Sequence, residues 1–258
     1  MQIALHSDLH TEVSLCELQG LGQAAVLPLA GDIGDMQTLP QFFYKLRKQA
    51  PQLTVLYILG NHEHWYLQWE QGLAEYRRLA ADYDIRLLEN ESLIIDDVLF
   101  CGTTLWTDFA LAGDAAGSMD WARDNIPDFH LIQCGFSAFS PENMLTEHQA
   151  ARQFLHDALT QHQGLRKKVV FSHFLPAKEL VGKQYGYSQE VLMKSAYWSS
   201  DLPELYALAD VWAYGHSHEN IECTLGHTRF ISNQRGYFSE YNRYRPSSGY
   251  RPDFMLEI

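Results

Sequence analysis

Cysteine is scarce in this 258-residue chain: Cys16, Cys101, Cys134 and Cys223 are far apart, and no two form a CxxC pair. That spacing excludes a zinc knuckle and a dithiol redox motif, and leaves reduced core thiols as the expectation. Long apolar runs are missing too, since no stretch approaches the roughly 18 apolar residues of a membrane span. The opening Met-Gln-Ile-Ala-Leu-His has neither the basic nor the apolar segment of a signal peptide, so the expected location is cytoplasmic. Positive charge is in deficit, with 19 Lys and Arg against 32 Asp and Glu, for a formal charge of −13. Nonspecific nucleic-acid affinity comes mainly from Lys and Arg contacts to phosphates, so an extended nucleic-acid groove is not expected. A small anionic substrate stays compatible, because carboxylates gathered around bound cations are partly neutralised by them.

A hydrophobic content of 46% over this length suffices for one substantial core, and the expected organisation is a single domain over 1–258. Short runs rich in Val, Ile and Leu predict buried strands at Gln2–Leu5, Ala25–Leu29, Thr54–Leu59, Val98–Cys101, Val169–Phe171 and Val211–Tyr214. Helical spacing predicts helices over Leu39–Gln49, Trp65–Tyr83, Pro141–Gln163 and Leu202–Ala209. Strand-helix alternation in the first third argues for α/β layers. Close-set apolar runs around Ser92–Cys101 and Ile221–Ser232 leave no room for a helix and predict hairpins, hence mixed sheets. Two stretches are irregular: 103–139, an expected active-site loop or helix insertion, and the tail 234–252.

Five polar strings punctuate this pattern: Asp8-Leu9-His10, Gly31-Asp32-Ile33-Gly34-Asp35, Gly60-Asn61-His62-Glu63, Ser172-His173 and Gly215-His216-Ser217-His218. Each sits at or just beyond the end of a predicted strand. Singly, each has another explanation: a polar turn, a strand-to-helix turn with Asp35 as N-cap, a satisfied core histidine. Together they place carboxylates, an Asn and imidazoles at five strand ends, where side chains distant in sequence converge in an open α/β sheet. Oxygen and nitrogen donors without thiolates suit manganese, iron or zinc.

The ordered set DxH, GDxxD, GNHE, H and GHxH resembles the calcineurin-like metallophosphoesterases, and the resemblance spans Asp8 to His218. It implies a four-layer αββα sandwich, two mixed β-sheets flanked by helices, with metals at one sheet edge. It further implies that Asp8, His10 and His218 hold one metal, that Asn61, His173 and His216 hold the other, and that Asp32 bridges them. The implied cofactors are two divalent or trivalent ions, manganese or iron first, with zinc, magnesium, nickel and cobalt as alternatives. The implied reaction is hydrolysis of a phosphoester by in-line attack of a metal-bridging hydroxide. His62 would protonate the leaving oxygen, and Asp35 would orient His62. The sequence departs from the protein serine/threonine phosphatases, which follow GDxxD with Arg-Gly where this chain has Met36-Gln37. Small phosphodiesters or phosphomonoesters, nucleotides among them, are therefore the expected substrates, with diesters slightly preferred. A nuclease of the same fold and a metal-bound interaction module without turnover are the alternatives.

Three aromatic residues are candidates for substrate contact: Trp106 in a turn after a predicted strand, and Tyr185 and Tyr187 in a Gly-containing loop after His173. Trp106 is equally plausible as core. Arg235, Arg243, Arg245 and Arg251 in the tail suit an anionic or aromatic ligand, a wrapping loop or a dimer contact. No feature specifies an oligomeric state.

Overall fold

The central strands form where the sequence sets a short apolar run. The computed structural model describes residues 1–162, 164–182, 186–241 and 247–258. Along the chain come β1 (Gln2–Ala4), β2 (Val26–Ala30), β3 (Thr54–Ile58), β4 (Arg86–Leu87), β5 (Glu91–Ile95) and β6 (Val98–Thr103). A small hairpin, β7 (Gln133–Cys134) with β8 (Ser137–Ala138), precedes β9 (Lys167–Ser172), β10 (Val211–Ala213), β11 (Cys223–Leu225), β12 (Thr228–Ile231) and β13 (Met255–Glu257). The first large sheet runs β13-β1-β2-β3-β4 and the second β11-β12-β10-β9-β6-β5. Both are mixed. The pairs β1–β2, β2–β3 and β3–β4 are parallel and β1–β13 antiparallel. In the second sheet, β6–β9, β9–β10 and β10–β12 are parallel, with the antiparallel hairpins β5–β6 and β11–β12 at its edges.

The two sheets stack face to face, and the period-two alternation of a strand decides which core each residue enters. Val26 and Ala30, Val98 and Phe100, Val169 and Phe171, and Val211 and Ala213 pack between the sheets. Their neighbours face outward. Leu27, Leu29, Val55 and Tyr57 meet α1 (Leu39–Gln49) and α2 (Trp69–Asp82) through Phe42, Phe43, Tyr76 and Ala80. On the far side, Leu99, Cys101, Val170 and Trp212 meet α3 (Ala115–Asn125), α4 (Asp128–Leu131), α5 (Pro141–Gln161) and α7 (Pro203–Tyr206), which follows α6 (Gln189–Ser195). Helix, sheet, sheet and helix make four layers, an αββα sandwich. Strands buried on both faces read as continuous apolar runs, as Val98–Thr103 does.

Helix α1 has the predicted bounds, whereas α2 starts four residues later than expected. Residues His62–His64 form a 3-10 turn, and Tyr66 takes a left-handed φ of 63° that a continuous helix does not allow. The predicted helix over Leu202–Ala209 shortens to α7. The stretch 103–139 contains α3, α4 and the β7–β8 hairpin, and it closes the outer face of the second sheet. Among the described residues, no helix is long and apolar enough to cross a membrane.

Candidate metal centre

The five strings meet beyond the carboxyl ends of β1, β2, β3, β9 and β10. Parallel pairing aligns those ends, so residues more than 200 positions apart become neighbours. Two groups of side chains close enough to hold an ion are Asp8, His10 and His218, and Asp32, His173 and His216; a third, overlapping group is His10, Asp32 and His62. Asp32 lies between them, with Oδ2 3.4 Å from His173 Nε2, 3.8 Å from His10 Nε2 and 3.9 Å from His62 Nε2. Asn61 presents Oδ1 3.1 Å from His173 Nε2. His218 Nε2 is 3.4 Å from Asp8 Oδ1, and His216 Nδ1 is 3.2 Å from His173 Nε2. All seven residues expected as ligands are thus brought to one place.

The backbone is bent to achieve this. Asp8, His10, Asp32, His216 and His218 all have positive φ, between 47° and 72°. Such a conformation costs on the order of 1 kcal/mol or more per non-glycine residue and clusters at functional sites. Glycine makes the room: a Cβ on Gly60 would overlap the Asp32 carboxylate, and Gly31, at φ 82°, lies where a Cβ would strike the His173 ring. Glu63 locks the loops together. Its buried carboxylate accepts the N–H groups of Asp32, Ile33 and Gly60 and the hydroxyl of Tyr57.

The donor chemistry fits cations. His10 donates Nδ1–H to Glu12 at 2.8 Å, His218 donates Nδ1–H to Glu240 at 2.9 Å, and His173 donates Nδ1–H to the Ala30 carbonyl at 3.1 Å. With Nδ1 committed, each ring turns the lone pair of Nε2 toward the centre, the tautomer a metal requires. The Nε2 atoms of His10 and His218 are then 3.0 Å apart, a repulsive contact unless a proton or metal cation intervenes. The field agrees. Burial alone would depress His173, yet the Asp32 carboxylate outweighs it and lifts the imidazole to about 9. His218 rises against burial to about 10, through Asp8 and Glu240. Burial would raise Asp32, but His173, His62 and His10 hold it well below the usual carboxylate range.

His62 sits at the rim, stacked on Trp65 with ring centroids 3.7 Å apart and with Nε2 3.1 Å from the Tyr237 hydroxyl. The carboxylate beside it is Glu12, 3.6 Å from Nδ1, rather than Asp35. Asp35 instead accepts the N–H groups of Gln37 and Thr38 in the turn that leads into α1. A short polar side chain two residues before backbone donors satisfies them locally, and that competition draws Asp35 away from His62.

Several functional side chains lie outside the strings. Asp128, fully buried in α4, accepts Asn61 Nδ2 at 2.9 Å, Trp65 Nε1 at 2.7 Å and the Tyr197 hydroxyl at 2.5 Å. That grip fixes the amide of Asn61 with its oxygen toward His173. Glu12, Tyr237 and Glu240 also join the site. Glu12 lies two residues after His10 and was within reach of the sequence pattern, but the others come from irregular segments with no local signal. Trp106 is core, 2% exposed among Trp69, Phe139 and Phe174, so it forms no wall at the metals. Tyr187 is exposed, and Tyr185, Arg243 and Arg245 lie outside the described residues. Arg235 spends its guanidinium on the carbonyls of Leu9, Ser14 and Leu15 and the Ser14 hydroxyl, and so staples the tail to the loop after β1. Arg251 lies over the Phe254 ring.

Comparison with known proteins agrees with this architecture. The crystal structure of phosphopantetheinyl hydrolase from Mycobacterium tuberculosis matches with a TM-score of 0.68 at 17% identity, covering 96% of this chain and 93% of that one. The Thermus thermophilus protein TT1561 matches with a TM-score of 0.52 at 14% identity, over 90% and 88% of the two chains. In sequence, an uncharacterized protein of Acanthamoeba polyphaga mimivirus is 22% identical over 242 residues, covering 85% of this chain and 81% of that one. No family model matches. The fold is that of the calcineurin-like metallophosphoesterases.

Proposed function

We propose that the protein is a cytoplasmic phosphoesterase that uses two metal ions to hydrolyse small phosphodiesters or phosphomonoesters, nucleotides among them. The observation that carries this reading is the convergence of two buried His/Asp groups on Asp32, with the Nε2 lone pairs of His10, His173 and His218 turned inward. Asp8, His10 and His218 would hold one ion, Asn61, His173 and His216 the other, and Asp32 both. Two such ions supply Lewis acidity at the phosphoryl oxygens and an acidified water as nucleophile, so no protein nucleophile is required. Manganese or iron suits a set of carboxylate, amide and imidazole donors without thiolate.

The remaining steps fall to the chain. Glu12, Glu240 and the Ala30 carbonyl hold the imidazole tautomers, and Asp128 holds Asn61. His62, braced by Trp65 and Tyr237 at the rim, stands where it can pass a proton to the leaving oxygen, with Glu12 as its carboxylate partner. The net charge of −13 favours a small ester over a long polyanion. Free cysteines suit the reducing setting of the cytoplasm.

The test is hydrolysis of bis-p-nitrophenyl phosphate, p-nitrophenyl phosphate and a phosphopantetheinyl ester by metal-stripped protein, with and without added manganese. The name of the Mycobacterium protein motivates the third substrate. Manganese-dependent turnover is expected, faster on diesters. Silence on every ester, with two ions shown to be bound, overturns the reading.

A further inference from the structure

A second recess opens beside the metal centre, with a volume of about 400 Å³. It shares two residues with the rim of that centre: Ser217, between His216 and His218, and Glu240, the hydrogen-bond partner of His218. Its other described walls are mostly apolar, built by Leu175, Val181, Val191 of α6 and Trp198, with Ser195 beside them. Among the described lining residues the cation is Lys194, which pairs with Glu190 of α6 at 2.7 Å. A chain extending from the metal centre into this recess would therefore lie against Leu175, Val181, Val191 and Trp198.

The walls are also set in advance. Leu175 N–H donates to the Trp198 carbonyl, Ser200 N–H donates back to the Leu175 carbonyl, and Trp198 N–H is held by the Ser195 carbonyl. The same segment continues into the metal site, since Phe174 stands against the His216 ring with centroids 4.1 Å apart. A rigid apolar trough joined to a phosphoryl-binding centre selects the organic part of the ester.

We propose that this recess binds the alcohol arm of the phosphoester, and that the arm is a largely aliphatic chain. The proposal rests on the phosphoesterase reading above. Each methylene moved from water into an apolar recess improves binding roughly fourfold, and the gain appears in kcat/KM when the contact persists in the transition state.

The experiment compares methyl, butyl and hexyl p-nitrophenyl phosphodiesters with the manganese-loaded protein, and the corresponding alkylphosphonates by calorimetry. A rise of about threefold or more per methylene is expected from methyl to butyl, in both turnover and binding. Val191→Lys, a change on the partly exposed face of α6, and Trp198→Ala should each flatten that dependence, even where absolute rates also change. Hydrolysis and binding that are indifferent to chain length overturn the recess assignment and leave the phosphoesterase reading standing. No hydrolysis of any ester by metal-loaded protein overturns the phosphoesterase reading and this assignment with it.

Discussion

Replacing Asp32 by Asn isolates the charge shared by the two metal groups. The carboxylate is 2% exposed, and one oxygen accepts the His62 N–H at 3.0 Å, a bond the amide oxygen of Asn can keep. The other oxygen faces His173, His10 and His62 at 3.4, 3.8 and 3.9 Å, and there Asn offers no charge. A cation present at about 100 times its dissociation constant stabilises the native protein by about 2.7 kcal/mol. For a chain of this size each kcal/mol moves Tm by about 2–4 °C, so manganese should raise the wild-type Tm by about 5–10 °C. Asp32→Asn should reduce that rise to under about 2 °C. Asp35→Asn, whose side chain can still serve the turn before α1, should keep the full rise. The assay is differential scanning calorimetry of chelated and manganese-repleted protein. Equal shifts for wild type and Asp32→Asn would refute the placement of a cation between the two groups.

Three further outcomes are expected. Burial pushes Glu89 up to about 7 from 4.5, with Thr104 donating to both oxygens in opposition; a raised carboxylate favours the protonated folded form, so stability falls as pH rises from about 4.5 to 7, by on the order of 1–3 kcal/mol. Glu89→Gln should remove that part of the slope, read as a smaller difference in urea midpoint between pH 5 and pH 8; an unchanged difference would sink the assignment. Asp128→Ala strands the donors of Asn61, Trp65 and Tyr197 and should cost on the order of 3 kcal/mol or more. Asp128→Asn, able to accept two of them and donate to the third, should recover most of that loss in denaturant melts and in metal affinity. Asp35→Ala should cost about 1 kcal/mol through the start of α1 with turnover within a few-fold of wild type, whereas Glu12→Gln should lower turnover about 10- to 100-fold. A loss of rate in Asp35→Ala as large as in His62→Ala would restore Asp35 as the orienting carboxylate.

Much of this was readable along the chain, because the signals are local. The short apolar runs of β2, β6, β9 and β10 announce buried strands without reference to any partner, and the apolar spacing of Leu39, Phe42, Phe43 and Leu46 sets α1 to the residue. Sequence alone also determined which donor types stand at which strand ends. Tertiary structure alone decided what surrounds them. The antiparallel edge β13 closes onto β1 across the whole length of the chain, and three residues carry too little pattern to announce it. Asp128, Tyr237 and Glu240 reach the centre from short helical turns without a motif, and nothing near them in sequence records the imidazoles and amide they serve. Asp35 shows the reverse. Its place in a motif suggested a partner for His62, but two backbone N–H groups within three residues claim its carboxylate first, because a local hydrogen bond needs no long loop to be closed.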